Sequence, residues 1–198
     1  MSEAITGSPS VDRPGGHPRR HYWQRFAAHE NSVGGPKVRI PEGGDLAALR
    51  RGAGCQPGSV PQLWPFYTEL TDAADGISPR LRAEHHALVL FGFHQQSQKV
   101  PMNVAKTSLG AAVGTLAARE RYSAAALERR FTAAATTEDV DGLAVLLRGL
   151  VTQLRHEKIG LDYDMLFDHL VRWQYPDARS RVRRRWGGDY YLTPAIAD

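Results

Sequence analysis

One stretch, Leu143 to Trp186, constrains the fold more than any other. Its first segment reads LAVLLRGLVTQLRHE. Apolar residues fall at Leu143, Leu146, Leu147, Leu150, Val151 and Leu154, the i, i+3, i+4, i+7 spacing of a helix with one face in a core. At about 100° per residue, Arg148 and Arg155 come close together on the opposite side. After Ile159-Gly160-Leu161, DYDMLFDHLVRW predicts a second helix with Tyr163, Leu166, Leu170 and Trp173 on one face. Pro176 suits the first turn of a third helix, where a missing N–H costs nothing. There Ala178, Val182 and Trp186 recur every four residues and point inward, while Arg179, Arg181, Arg183, Arg184 and Arg185 point elsewhere. Three helices thus share a core beneath a guanidinium-rich exterior.

The order of these features carries a resemblance. An arginine-bearing leucine helix is followed by Ile-Gly-Leu-Asp-Tyr, then Asp-His-Leu-Val-Arg-Trp, then a Trp and a Tyr-Tyr pair. Upstream stand Leu49-Arg50-Arg51-Gly52, Ser108-Leu109-Gly110 and Glu128-Arg129-Arg130-Phe131. Over roughly Tyr22 to Tyr191 the ordered set resembles the CasB family, the small subunit of the type I-E CRISPR surveillance complex Cascade. The resemblance implies a non-catalytic subunit that pairs head to tail with a second copy. It implies contact with other Cascade subunits, and support of the guide RNA/target DNA hybrid and displaced strand in the R-loop. Carried over by position, Arg50, Arg51, Arg129, Arg130 and Arg148 match basic positions of the family.

Read without the resemblance, the chain gives an all-α expectation. Its 198 residues suffice for one sizeable core or two packed sub-bundles. About eight or nine helices are expected over 19–192, with an N-terminal half (19–104) and a C-terminal bundle (105–192). Residues 1–18, rich in Gly, Pro and Ser, read as a disordered tail, and 193–198 as a frayed end. A first helix is expected from Arg19 to Glu30, then a loop over 34–44 whose glycines and prolines break regular structure. Asp45 is the expected N-cap of DLAALRR, with Gly52 ending it. Leu63, Trp64, Phe66, Tyr67 and Leu70 read as core, with base stacking as the other reading of these aromatics. Ser78-Pro79 opens a helix that is apolar all round at 87–93. The polar run 95–107 reads as an exposed linker, and Ser108, Ser123 and Asp139 as further N-caps.

No constellation specifies an enzyme. Eight histidines occur, but His85, His86 and His94 are not spaced i, i+4 as a zinc pair requires. Asp162, Asp164 and His169 could hold a divalent ion for a small nuclease or hydrolase; against that, Asp162 suits an N-cap and Asp168 can pair with Arg172. The single cysteine, Cys55, excludes a disulfide framework. No cofactor, metal or membrane span is expected, and the cytoplasm is the expected compartment.

What remains is phosphate recognition by helix-borne cations. Only Lys37, Lys99, Lys106 and Lys158 are lysines among 25 cationic residues. Arginine binds phosphate through two parallel hydrogen bonds, although high-GC coding also enriches it. The candidates are Arg50, Arg51, Lys106, Arg129, Arg130, Arg148, Arg155 and Lys158, the lysines and Arg155 on surface geometry alone. The Arg179–Arg185 run is a second candidate track, or a solvated face paired with acids.

Overall fold

Helix α2 (Pro79–Gln95) is buried on nearly all sides, because its sequence gives it no polar stripe: Ala83, Ala87, Leu88, Leu90 and Phe91 are inaccessible to solvent or nearly so. Ser78 starts it by accepting the Leu81 N–H at 3.1 Å, with Pro79 at the first position. Around it pack α1 (Gly43–Arg51), α5 (Val140–His156) and α6 (Tyr163–Trp173). A second layer is α3 (Leu109–Ala117) against α7 (Pro176–Leu192), with α4 (Ala124–Thr136) against α5. The computed structural model describes residues 20–26, 39–68, 70, 76–119 and 121–192. Among these are seven α-helices and two 3-10 helices, Tyr22–Phe26 and Pro61–Phe66, and one continuous hydrophobic core. The chain is all-α, as expected. No described helix is long and apolar enough to cross a membrane.

Close approach of helices depends on two glycines. A Cβ at Gly92 would lie 2.8 Å from the Leu49 Cβ, so this glycine lets α1 settle on α2. A Cβ at Gly110 would fall on the Trp186 carbonyl oxygen, with the Asp189 Cβ 2.9 Å away, so α3 and α7 meet there backbone to backbone.

Several expectations need correction. The tail (1–18), the frayed end (193–198), residues 19 and 27–30 of the first helix and 34–38 of the loop lie outside the described residues; the described part of the first helix is the 3-10 turn Tyr22–Phe26. Helix α1 begins at Gly43, with Glu42 at the N-cap, because Asp45 is held in the first turn by the Tyr22 hydroxyl at 2.6 Å. Gly52 ends α1 in right-handed geometry (φ −69°) rather than the left-handed form expected of a terminating glycine. Its need is space: a Cβ would stand 2.7 Å from Leu63 Cδ2. Trp64 is 50% exposed and Leu70 49% exposed. The three-residue repeat of the 3-10 helix puts Leu63 and Phe66 inward and turns Trp64 out. Leu146 is 39% exposed, since it lies at the edge of the stripe centred on Leu143, Leu147, Leu150 and Leu154.

The run 95–107 is not the exposed linker its polarity suggests. Gln95, Met102 and Asn103 are buried. The Asn103 side chain donates to the Trp23 carbonyl at 3.2 Å and accepts from the Tyr163 N–H at 3.1 Å. Met102 O accepts from Leu161 N–H (2.9 Å) and Leu161 O from Val104 N–H (3.1 Å), a short parallel bridge. Polar side chains here satisfy buried backbone groups instead of facing water. The caps Ser108, Ser123, Asp139 and Asp162 each accept the expected first-turn N–H.

Three buried histidines lock these elements. Each accepts a hydrogen bond at Nδ1: His85 from the Tyr67 hydroxyl (2.6 Å), His94 from the Tyr163 hydroxyl (3.1 Å) and His169 from the Trp186 indole N–H (2.9 Å). A second proton would displace those donors, and burial lowers each ring to about 4.

Two outcomes follow. The unfolded chain takes up protons near pH 6.5, before the folded one does, so stability held above that pH is lost as pH falls toward 4. The unfolding free energy from urea titration should drop from pH 7 to pH 5.5 by on the order of 1 kcal/mol per histidine; a flat profile would contradict the assignment. Gly149, with open space at its Cβ position in mid-α5, should gain roughly 0.5–1 kcal/mol on change to Ala, whereas Gly110→Ala should lower the melting temperature. Equal effects of the two substitutions would contradict the backbone contact.

Candidate nucleic-acid interface

Arginines from two helices meet at the C-terminal end of α2. Arg50, in the last turn of α1, lies one helical turn after buried Leu46, on the side of α1 that packs against α2, which brings it to the end of that helix. It donates to the Gly92 carbonyl at 3.5 Å. Arg155, in the last turn of α5, donates from one guanidinium nitrogen to Phe93 O (3.3 Å) and to Gln96 Oε1 (2.9 Å). Arg148, two turns earlier, stands over the Phe93 ring with 5.6 Å to its centre. A helix C-terminus carries partial negative charge, which holds cations there. The grouping also carries strain: burial, then the charges of Arg155 and Arg51, lower the pKa of Arg50. A bound anion relieves that repulsion.

The remaining candidates are distributed more widely. Arg51 is exposed beside Arg50, and Lys158 is exposed in the turn after α5, at φ 55° with its N–H on Arg155 O. Arg129 and Arg130 stand on the outer side of α4, opposite buried Leu127 and Phe131. Lys106, at φ 67°, donates its backbone N–H to Asp162 Oδ2 at 2.7 Å and shares a shallow hollow with Arg185. Among the described residues, no hydrogen bond or ring contact joins Lys106 or the Arg129–Arg130 pair to the group at the end of α2.

Among the described residues the eight candidates are not held by ion pairs with carboxylates, whereas Arg82 pairs with Asp141, Arg121 with Glu157, Arg172 with Asp168 and Arg185 with Asp189. The 179–185 run is partly consumed by structure: Arg179 donates to Glu138 O, and Arg183 donates to Thr136 O (3.1 Å) and Thr137 O (2.9 Å), closing the C-terminal end of α4. Sequence reasoning missed Phe93 and Gln96 as the groups that orient Arg148 and Arg155. No local pattern signals them, because the partners are 55 and 59 residues apart in the chain.

The acidic alternative does not assemble. Asp162 spends one oxygen on the Met165 N–H (2.9 Å) and the other on Lys106. Asp164 accepts from the Trp23 indole and the Gln24 amide, both at 2.8 Å. His169 faces inward, 5% exposed, while Asp164 faces out. Among the described residues no three His, Cys, Asp or Glu side chains come together as metal ligands.

Comparison with known proteins supplies a frame for this surface. Residues 45–191 match the family profile of CRISPR-associated protein Cse2. A protein from Thermus thermophilus called CRISPR-associated protein Cse2 is 27% identical over 145 residues, spanning 73% of this chain and 77% of the relative. The crystal structure of CasB from Thermobifida fusca superposes with a TM-score of 0.61 at 32% identity, covering 76% of this chain and 85% of that one. CasB from M. ruber, at 22% identity and a TM-score of 0.60, shares the fold over 86% of this chain and 91% of its own. The chain belongs to the CRISPR-associated Cse2 family, the CasB subunits of Cascade.

Proposed function

We propose that this chain is a non-catalytic, nucleic-acid-binding subunit of a type I-E CRISPR effector ribonucleoprotein. In this reading it stabilises the R-loop of guide RNA and target DNA in antiviral defence, acting in the cytoplasm. Its partners are the single strands and the hybrid, other Cascade subunits, and a second copy of itself. The observation that carries the reading is the convergence of Arg50, Arg148 and Arg155 from two helices on the C-terminal end of α2. Burial and then the charges of Arg155 and Arg51 disfavour the charged form of Arg50, and a bound phosphate offsets such positive charge. Arg51, Arg129, Arg130, Lys106 and Lys158 extend the surface.

Backbone contacts of this kind are blind to sequence and sensitive to salt. With six phosphates engaged, affinity for a single strand should fall with a log–log salt slope on the order of four to five. Fluorescence anisotropy with labelled single-stranded RNA, single-stranded DNA and duplex, without divalent metal, measures it. Arg50→Ala/Arg51→Ala should weaken binding and flatten the slope by about one to two, and Arg129→Ala/Arg130→Ala should do so if α4 lies on the same track. Binding unchanged in both double variants would contradict the assignment. Metal-dependent cleavage lost in Asp164→Ala would instead revive the hydrolase alternative.

A further inference from the structure

A hollow of about 480 Å3 opens between α5, α2 and the turn that follows α1. Its size falls within the roughly 300–1,000 Å3 of sites that take small organic ligands. The walls are mainly apolar, with Pro57 and Ile77 on one side, Val89 on α2, and Ala144 and Val145 on α5. Val145 is 59% exposed, an aliphatic side chain that the fold leaves unused. Two further features make the hollow more than a packing defect.

The first is its polar equipment. Gln56 lines the hollow, and among the described residues its carboxamide makes no hydrogen bond, so it offers both a donor and an acceptor. Asp141, also lining the hollow, is fixed by Arg82 (2.6 Å) and by the His86 ring (2.7 Å), which sets the orientation of its carboxylate. The turn Gly52-Ala53-Gly54 brings backbone to the surface of the hollow, with open space where a Cβ of Gly54 would be. The second feature is position. Arg148 lines the hollow and also belongs to the cation group at the end of α2, and Arg51 precedes the glycine turn directly. A cation without a carboxylate partner therefore stands at the edge of an apolar slot that carries donor and acceptor groups.

We propose that this hollow receives an unstacked base of a single strand, its phosphate on Arg148 and its edge facing Gln56 and Asp141. The inference rests on the proposed function and adds a base subsite to a backbone track. Apolar walls take the faces of a base, as single-strand binders do with any flat surface. Gln and Asp side chains complement amide and amino groups on base edges. The expected bias is toward bases carrying an exocyclic amino group, which Asp141 can accept.

The test compares the full chain binding a short single-stranded DNA with the same strand made abasic throughout, equal in charge. The base-bearing strand should bind roughly tenfold tighter. Ala144→Phe, which fills the slot from α5, should bring it down to the abasic level, with abasic binding and melting temperature unchanged. Gln56→Ala, on an exposed residue whose truncation leaves the core intact, should reproduce part of the loss independently of any effect of the larger side chain on folding. Equal affinity for both strands, untouched by either variant, would overturn the base subsite and leave the backbone track standing. No binding of either strand at low salt would overturn both. Tight binding of adenosine monophosphate alone would reassign the slot to a free nucleotide. Loss of partner subunits in Ala144→Phe, with strand binding intact, would reassign it to a protein contact.

Discussion

The C-terminal end of α2 is the constraint around which the rest is arranged. A helix buried on nearly all sides must still satisfy its last carbonyls. Here Gly92 and Phe93 present their carbonyls to arginines from α1 and α5. Gly92 is also the point where α1 touches α2 closely enough for Arg50 to reach. One contact thus fixes the angle of α1, completes the end of the central helix and gathers positive charge at one place. The Lys158 turn and the Ile159–Leu161 joint follow from the same anchor, since His94 of α2 also bonds the Ile159 carbonyl at 2.9 Å.

This arrangement separates two uses of arginine in a chain rich in it. Arg172 and Arg185 sit one helical turn from an acid on their own helix, and Arg179 and Arg183 close the end of α4. Arg50 and Arg155 use only part of their donor set on carbonyls and an amide, and a guanidinium has five N–H donors in a planar fork. Burial and the nearby charges of Arg155 and Arg51 lower the pKa of Arg50.

Much of this was legible in the sequence. The leucine stripe of α5, the aromatic face of α6, the glycine-bearing α3 and the serine and aspartate caps are local patterns, and local patterns of period 3.6 survive translation into structure. The outward position of Arg129, Arg130 and Arg148 followed from the same periodicity. Long-range features did not follow. Asn103 reads as a loop residue, yet it links Trp23 to Tyr163 across the core. Asp45 reads as a cap, yet Tyr22 claims it. Trp64 reads as core, yet the 3-10 turn of Pro61–Phe66 rotates it outward. Nor could spacing reveal that Arg148 joins the cation group to a hollow, because that depends on where α5 crosses α2.

The most direct measurement is the lifetime of the R-loop in the assembled effector carrying Arg50→Gln/Arg148→Gln/Arg155→Gln, followed by permanganate reactivity of the displaced strand. Glutamine keeps a donor for the α2 carbonyls but removes the charge. The account predicts that the complex assembles with normal stoichiometry and that the open state collapses at least tenfold faster at moderate salt, with the difference shrinking at low salt. An R-loop lifetime equal to that of the unaltered complex would contradict it and leave these arginines as structural caps of a buried helix.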